Sequence, residues 1–243
     1  MGILVVFIVF PLLYLMSLFY KEQKFFFQGF IHHSFRLYFW FLQKSVPGLT
    51  IQIDNLKDIQ SIKSSVILLN HLSHLDAILL LSVVKKMVII TKPMYFKIPV
   101  LGWLIYLAGY IPASRQSQFN FKSFDMLESI EDYFQSGGNL LIFPEGRRSH
   151  TGQLNPFKKG PFSLIQKLNK PLEILCLKNT DNLFGINDSL IFNFSEKNTI
   201  SLKRIDQIIP DFHESPNNPL HAKTLKDKVY QIYLKEYQSG ERE

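Results

Sequence analysis

One cysteine in 243 residues leaves this chain no partner for an intramolecular disulfide and no thiolate cluster for a structural metal. That residue, Cys176, lies inside the apolar run Ile174-Leu175-Cys176-Leu177, where it reads as a small buried hydrophobe. There is no internal repeat and no low-complexity linker, so solenoids and bead-on-string arrays are excluded and one large core is expected. Acidic residues are the minority: 27 Lys plus Arg stand against 20 Asp plus Glu, a formal charge of +7 that favours anionic partners. No charged residue interrupts Ile3 to Tyr20. No basic residue precedes that run and no small-residue cleavage site follows it, which argues against a cleaved signal peptide.

What is present is apolar and aromatic. Hydrophobic residues make up 47% of the chain, including 22 Phe, a composition at the upper edge for a soluble protein and suggestive of lipid contact. As a helix, Ile3 to Tyr20 would extend about 27 Å, close to the ~30 Å of a bilayer core. Gly29 to Val46 is rich in Phe, Tyr, Trp and Leu but broken by His32, His33, Arg36 and Lys44 at helical spacing, as in a helix lying in the headgroup plane. The aromatics concentrate here, not along a Lys/Arg stripe as nucleic-acid binding would require. We therefore expect residues 1–46 to be membrane-anchoring helices and residues 47–243 a catalytic domain. The expected location is a bacterial inner membrane with that domain on the cytoplasmic side.

Beyond Pro47-Gly48, strand-length apolar runs alternate with helical patterns. Val66 to Leu69, Met87 to Thr91, Leu140 to Phe143 and Ile174 to Leu177 read as interior strands. Ala77 to Val84, Leu101 to Ala108, Phe121 to Phe134 with Asn120 as a cap, Phe162 to Leu168 and Leu220 to Tyr237 read as helices. Leu190 to Phe194 and Thr199 to Leu202 are expected to pair as an edge hairpin. The sum predicts an α/β domain with a mostly parallel or mixed central sheet flanked by helices, and reactive loops at strand ends.

Two such loops carry chemistry. In Asn70-His71-Leu72-Ser73-His74-Leu75-Asp76 a strand gives way to a helix, and Asp76 in the first turn can fold back toward His71. A neutral imidazole fixed by a carboxylate can take the proton of an alcohol. The same residues also satisfy a capping-box pattern, Ser73-x-x-Asp76, needing no chemistry, and His71, His74 and Asp76 form a loose set of zinc ligands. In Phe143-Pro144-Glu145-Gly146-Arg147-Arg148-Ser149 an apolar strand runs into a carboxylate, a glycine and two guanidinium groups suited to phosphate oxygens. Lys158, ahead of another helix, and Arg115, in Ile111-Pro112-Ala113-Ser114-Arg115, add cations from separate loops.

Taken in order, these elements resemble the glycerolipid acyltransferase family that includes the 1-acylglycerol-3-phosphate acyltransferases. The likeness rests on His71-x4-Asp76, on Gly109-Tyr110-Ile111-Pro112-Ala113-Ser114-Arg115, on Phe143 to Ser149 and on Phe157-Lys158-Lys159-Gly160-Pro161, and it covers roughly residues 50–180. Pro171-Leu172-Glu173-Ile174 is an imperfect counterpart of a further proline-containing element, and Ser114 stands where aspartate is common. The resemblance implies that His71, oriented by Asp76, deprotonates the free hydroxyl of a lysophospholipid as it attacks an acyl thioester. It assigns Asn70, Arg115, Glu145, Gly146 and Arg148 to the substrate site, to which the charge pattern adds Arg147 and Lys158. Backbone or side-chain donors near His71 and Gly146 are expected to meet the oxyanion. The implied partners are a lysophospholipid acceptor, an acyl-CoA or acyl-acyl carrier protein donor and membrane lipid, with no bound cofactor, no metal and no nucleic acid.

Overall fold

The computed structural model describes residues 14–15, 18–19, 22–113, 124–183, 197–210 and 219–240. In chain order the elements are α1 (Gln23–Ser45), β1 (Leu49–Ile53), α2 (Leu56–Ser61), β2 (Val66–Leu69), α3 (Leu75–Val83) and β3 (Met87–Thr91). A 3-10 turn (Pro93–Lys97) leads to α4 (Leu101–Leu107), β4 (Ile111–Pro112), α5 (Phe124–Gln135) and β5 (Asn139–Ile142). Then come α6 (Lys159–Leu168), β6 (Leu172–Lys178), α7 (Thr180–Leu183), β7 (Asn198–Ile208) and α8 (Pro219–Gly240).

The seven strands form one sheet in the order β1-β7-β6-β2-β5-β3-β4. The run from β6 to β4 is parallel, while β7 lies antiparallel to β6 and β1 parallel to β7, so the sheet is mixed. Every residue of β2 and of β5 is buried, as their unbroken apolar sequences predict for strands covered on both faces. Thr199 to Leu202 belongs to β7, which sits between β1 and β6 instead of forming an edge hairpin. Its proposed partner, Leu190 to Phe194, lies outside the described residues. Alternation correctly marks a strand, but it carries no information about which neighbour the strand adopts.

Glu173 in β6 is 3% exposed, an unusual place for a carboxylate. Arg204 and Gln207 of β7 accompany it, with Nε of Arg204 at 2.6 Å and Nε2 of Gln207 at 2.9 Å. Burial still pushes its carboxyl above the usual range, with the Arg204 charge acting against that shift.

Helix α1 packs on α3, whose Leu75, Leu79, Leu80 and Val83 share one buried cluster with the strands. Phe27, Ile31, Phe39 and Leu42 are buried in the same cluster as the strands. Burying each contributes roughly 1.5–3 kcal/mol before the entropy of ordering is subtracted. Two polar pins add direction: Gln28 Nε2 donates to the Ala108 carbonyl at 2.8 Å, and His32 Nδ1 donates to that of Leu81 at 2.8 Å. The opposite face exposes Phe30, Leu37, Trp40 and Phe41. Among the described residues no helix is long and apolar enough to cross a membrane; Ile3 to Tyr20 falls mostly outside them.

At the other end of the chain, α8 buries Ala222, Leu225, Val229 and Tyr233, an i, i+3, i+7, i+11 stripe, and packs against α6. The Tyr233 hydroxyl donates to the Leu175 carbonyl at 2.8 Å, fixing α8 to β6.

Candidate active site

Three adjacent parallel strands, β5, β2 and β6, end side by side, and the loop leaving each carboxyl end contributes to one cluster. The loop after β2 holds His71. Its ring Nδ1 lies 2.9 Å from Asp76 Oδ2. That oxygen also accepts the backbone N–H groups of Leu72 at 2.6 Å and Ser73 at 2.8 Å. One side chain thus serves two contacts: Asp76 accepts the Ser73 N–H, the carboxylate half of a capping box, and lies against the imidazole, while the Ser73 hydroxyl accepts the Leu75 N–H at 3.3 Å. Its other oxygen, Oδ1, accepts the Thr180 hydroxyl at 2.6 Å, and both Asp76 and Thr180 are fully buried.

The network assigns the tautomer. Asp76 Oδ2 is an acceptor toward two backbone donors, so His71 Nδ1 carries the proton and Nε2 the lone pair. Nε2 has no hydrogen-bond partner among the described residues, and the side chain is 19% exposed. The ring stacks on Phe143, centroids 4.0 Å apart, which fixes its plane. The result is an oriented imidazole with one free, basic, reachable edge.

Glu145, from the loop after β5, is 1% exposed and faces the backbone instead of an open cleft. Oε1 accepts the His71 N–H at 2.8 Å and Oε2 accepts the Asn155 N–H at 2.8 Å. Burial pushes its carboxyl above the usual range, while those two backbone donors oppose the shift. Ser149 N–H donates to the His71 carbonyl at 2.7 Å, so the loops after β2 and β5 are tied at both ends of residue 71. Gly146 adopts φ +69°, a conformation costly for a side-chain-bearing residue, and its N–H donates to Phe143. The N–H groups of His71 and Gly146 are therefore both engaged within the protein.

Asn70 is fully buried, its amide donating to the Leu177 carbonyl at 2.8 Å and to the Tyr237 hydroxyl at 2.9 Å, its oxygen accepting the Leu177 N–H at 2.7 Å. Those bonds lock β2 to β6 immediately before the histidine and engage both donors of the amide. Arg147 and Lys158 are exposed and Arg148 is half-buried, and no carboxylate among the described residues pairs with any of them. Burial holds the exposed-edge histidine, His74, below the usual imidazole range, assisted by the charges of Arg148, His71 and Lys92. Lys92, at the end of β3, was not singled out by sequence; only its shared influence on His74 links it to Arg148. Arg115 lies outside the described residues. Among those residues no group of three or more His, Cys, Asp or Glu side chains is placed to hold a metal ion.

A family model described as Acyltransferase matches residues 50–177, more than half of the chain. The chain belongs to the acyltransferase family. Chloroplastic 1-acyl-sn-glycerol-3-phosphate acyltransferases of Brassica napus and Arabidopsis thaliana are each 30% identical over 174 residues, 71% of this acyltransferase. It spans about half the length of these relatives, 50% and 48% respectively. The Escherichia coli 1-acyl-sn-glycerol-3-phosphate acyltransferase is 25% identical over 142 residues, 58% of this chain and 57% of that one. The crystal structure of the 1-acyl-sn-glycerophosphate (LPA) acyltransferase of Thermotoga maritima superposes with TM-score 0.63 at 18% identity, covering 96% of this acyltransferase and 91% of that chain, which shows a shared fold. The matched segment contains His71, Asp76, Glu145 and Arg148; Thr180 and all of α8 lie beyond it.

Proposed function

We propose that this acyltransferase moves a fatty acyl group from acyl-CoA or acyl-acyl carrier protein to the free hydroxyl of 1-acylglycerol-3-phosphate, giving phosphatidic acid. The observation that carries the reading is the 2.9 Å bond between His71 Nδ1 and Asp76, which leaves Nε2 unprotonated and unpartnered among the described residues. Nε2 takes the hydroxyl proton as the oxygen bonds to the thioester carbonyl carbon. Collapse of the tetrahedral adduct breaks the C–S bond, and the thiolate leaves with that proton. Asp76 balances the imidazolium in between. No acyl-enzyme is needed, and burial pushes the Cys176 thiol up to about 12, unsuited to a nucleophile.

The names of the relatives support the phosphate-bearing acceptor, as do the cations Arg147, Arg148, Lys158 and Lys92, which no described carboxylate neutralises. Residues 1–46 serve as the membrane-facing part and 47–243 as the catalytic part, on the cytoplasmic side of a bacterial inner membrane. The exposed Leu37, Trp40 and Phe41 of α1, with Trp103 and Tyr106 of α4, support contact with the bilayer interface. A second reading, acylation of another lysolipid, differs only in headgroup. Binding of anionic lipid without turnover would leave the His71–Asp76 pair unexplained.

The test is thiol release from acyl-CoA and from acyl-acyl carrier protein by protein in detergent, with and without 1-acylglycerol-3-phosphate. Release is expected only with the acceptor present and is expected to vanish in His71→Ala. A folded His71→Ala protein with full turnover would refute the base.

A further inference from the structure

Asp76 is gripped from two directions, and only one of them belongs to its own loop. Its Oδ2 faces three donors from residues 71 to 73. Its Oδ1 meets the Thr180 hydroxyl at 2.6 Å, from a residue 104 positions later in the chain. Thr180 opens α7 immediately after β6, and the framework around it is firm: Asn179, at φ +66°, donates its side-chain amide to the Thr199 carbonyl at 2.8 Å and accepts from Asn198 at 3.2 Å. The hydroxyl is therefore presented from the carboxyl end of β6, an element separate from the histidine loop and tied to the start of β7.

We infer that Thr180 is a positioning residue of the acyl-transfer centre, fixing the rotation of the Asp76 carboxylate so that one oxygen stays aligned with His71 Nδ1. The inference rests on the assignment of His71 as the base. A carboxylate turns easily about its last torsion, which has a broad, two-fold preference. Donors crowded on one oxygen leave that rotation poorly defined, and a donor on the opposite oxygen from a separate element stops it. Without the hydroxyl, Oδ1 would be a buried anionic oxygen lacking its described donor, a costly state relieved by holding the shared His–Asp proton more tightly. The neighbouring titratable and charged groups are Glu145 on the His71 side, Asp181 beside Thr180, and His74, Arg148 and Lys92 across the mouth; of these, Asp181 and His74 feel the Asp76 charge directly, and all of them remain in place in a variant at position 180.

Thr180→Val keeps the shape and removes the hydroxyl; Thr180→Ser keeps the hydroxyl; Thr180→Cys keeps the size with a much weaker donor. With the full chain in detergent, Val is expected to lower kcat at least about tenfold, part of the 10²–10⁴ a positioned general base supplies. KM for both substrates should hold within about twofold, since no substrate contact is lost. The acidic limb of the kcat–pH profile should move to higher pH, and Ser should restore both kcat and the limb. Loss of fold alone would change the active fraction and leave the limb in place. Should Val fail to fold, the Ser and Cys variants carry the same comparison. Wild-type kcat and limb in Val or Cys, or a Ser variant as impaired as they are, would overturn the role of Thr180. A silent Thr180→Val beside an inactive His71→Ala removes the positioning role and spares the base; an active His71→Ala removes both.

Discussion

Glu145 holds His71 by its main chain, not its ring: Oε1 accepts the His71 N–H at 2.8 Å while Oε2 accepts that of Asn155. A carboxylate is the side chain that can accept from two backbone donors on opposite sides at once. In Glu145→Gln one of those donors would face an NH2 group, leaving a buried donor unpaired at a cost of about 1–3 kcal/mol. The expected result is a lower denaturation midpoint and a lower kcat with an unchanged KM for the acceptor. An acceptor KM that rises while kcat holds would return Glu145 to the substrate-contact role expected from the sequence.

Arg148 is half-buried at the mouth and acts electrostatically on His74 together with Lys92. If these two grip the acceptor phosphate, Arg148→Ala removes a charge-assisted bond of about 1.5–3 kcal/mol, or roughly 10- to 150-fold in kcat/KM for 1-acylglycerol-3-phosphate. Monoacylglycerol, which lacks the phosphate, should feel the substitution little. Equal loss on the two acceptors would place the arginine elsewhere in the mechanism.

Cys176 is 1% exposed in β6, and burial raises its thiol to about 12. Treatment of the native protein with a maleimide at pH 7 should leave turnover intact, and Cys176→Ala should retain kcat while losing about 1 kcal/mol of stability to the small cavity. Rapid inactivation protected by acyl-CoA would contradict the direct-transfer mechanism.

The attachment of α1 is expected to depend on pH through His32. The ring is 5% exposed, and burial, aided by the charges of His33, Arg36 and Lys85, holds it below the usual imidazole range. The unfolded or detached state then binds the proton more readily than the docked one, so stability is complete above the ordinary value of about 6.5 and is lost as pH falls from there toward the lowered folded value. Hydrogen exchange along α1 should accelerate between pH 7 and 5 before the sheet loosens, and His32→Asn should flatten that response. Uniform acceleration across α1 and β2 would argue against a local effect.

Much of the architecture was legible because the signals are local. Four-residue apolar runs marked β2 and β5, a charged amphipathic pattern marked α8, and Ser73-x-x-Asp76 lay at the entrance of α3, all within short stretches of chain. The His71–Asp76 pair was legible for the same reason, being five residues apart at a strand-to-helix bend. Contacts across the chain were not. Asn70 meets Leu177 at a separation of 107 residues, and Glu145 meets His71 at 74, so no periodicity reports them. Polar residues beside an apparent site were read as facing substrate, whereas several face the backbone.

Local chemistry in the sequence determined that an imidazole and a carboxylate would share one bend, that cations would follow β5, and that strands would alternate with helices. Which strand ends stand together was decided by the sheet order, which sets β5, β2 and β6 side by side and so brings Glu145 and Thr180 to the two sides of that bend. The burial of α1 against α3 was likewise a tertiary decision, since an amphipathic helix carries the same pattern whether its apolar side meets protein or lipid. Spacing along a chain constrains only neighbours a few residues apart. Sheet pairing and burial are settled by which long-range contacts recover the entropy of closing the loops between them.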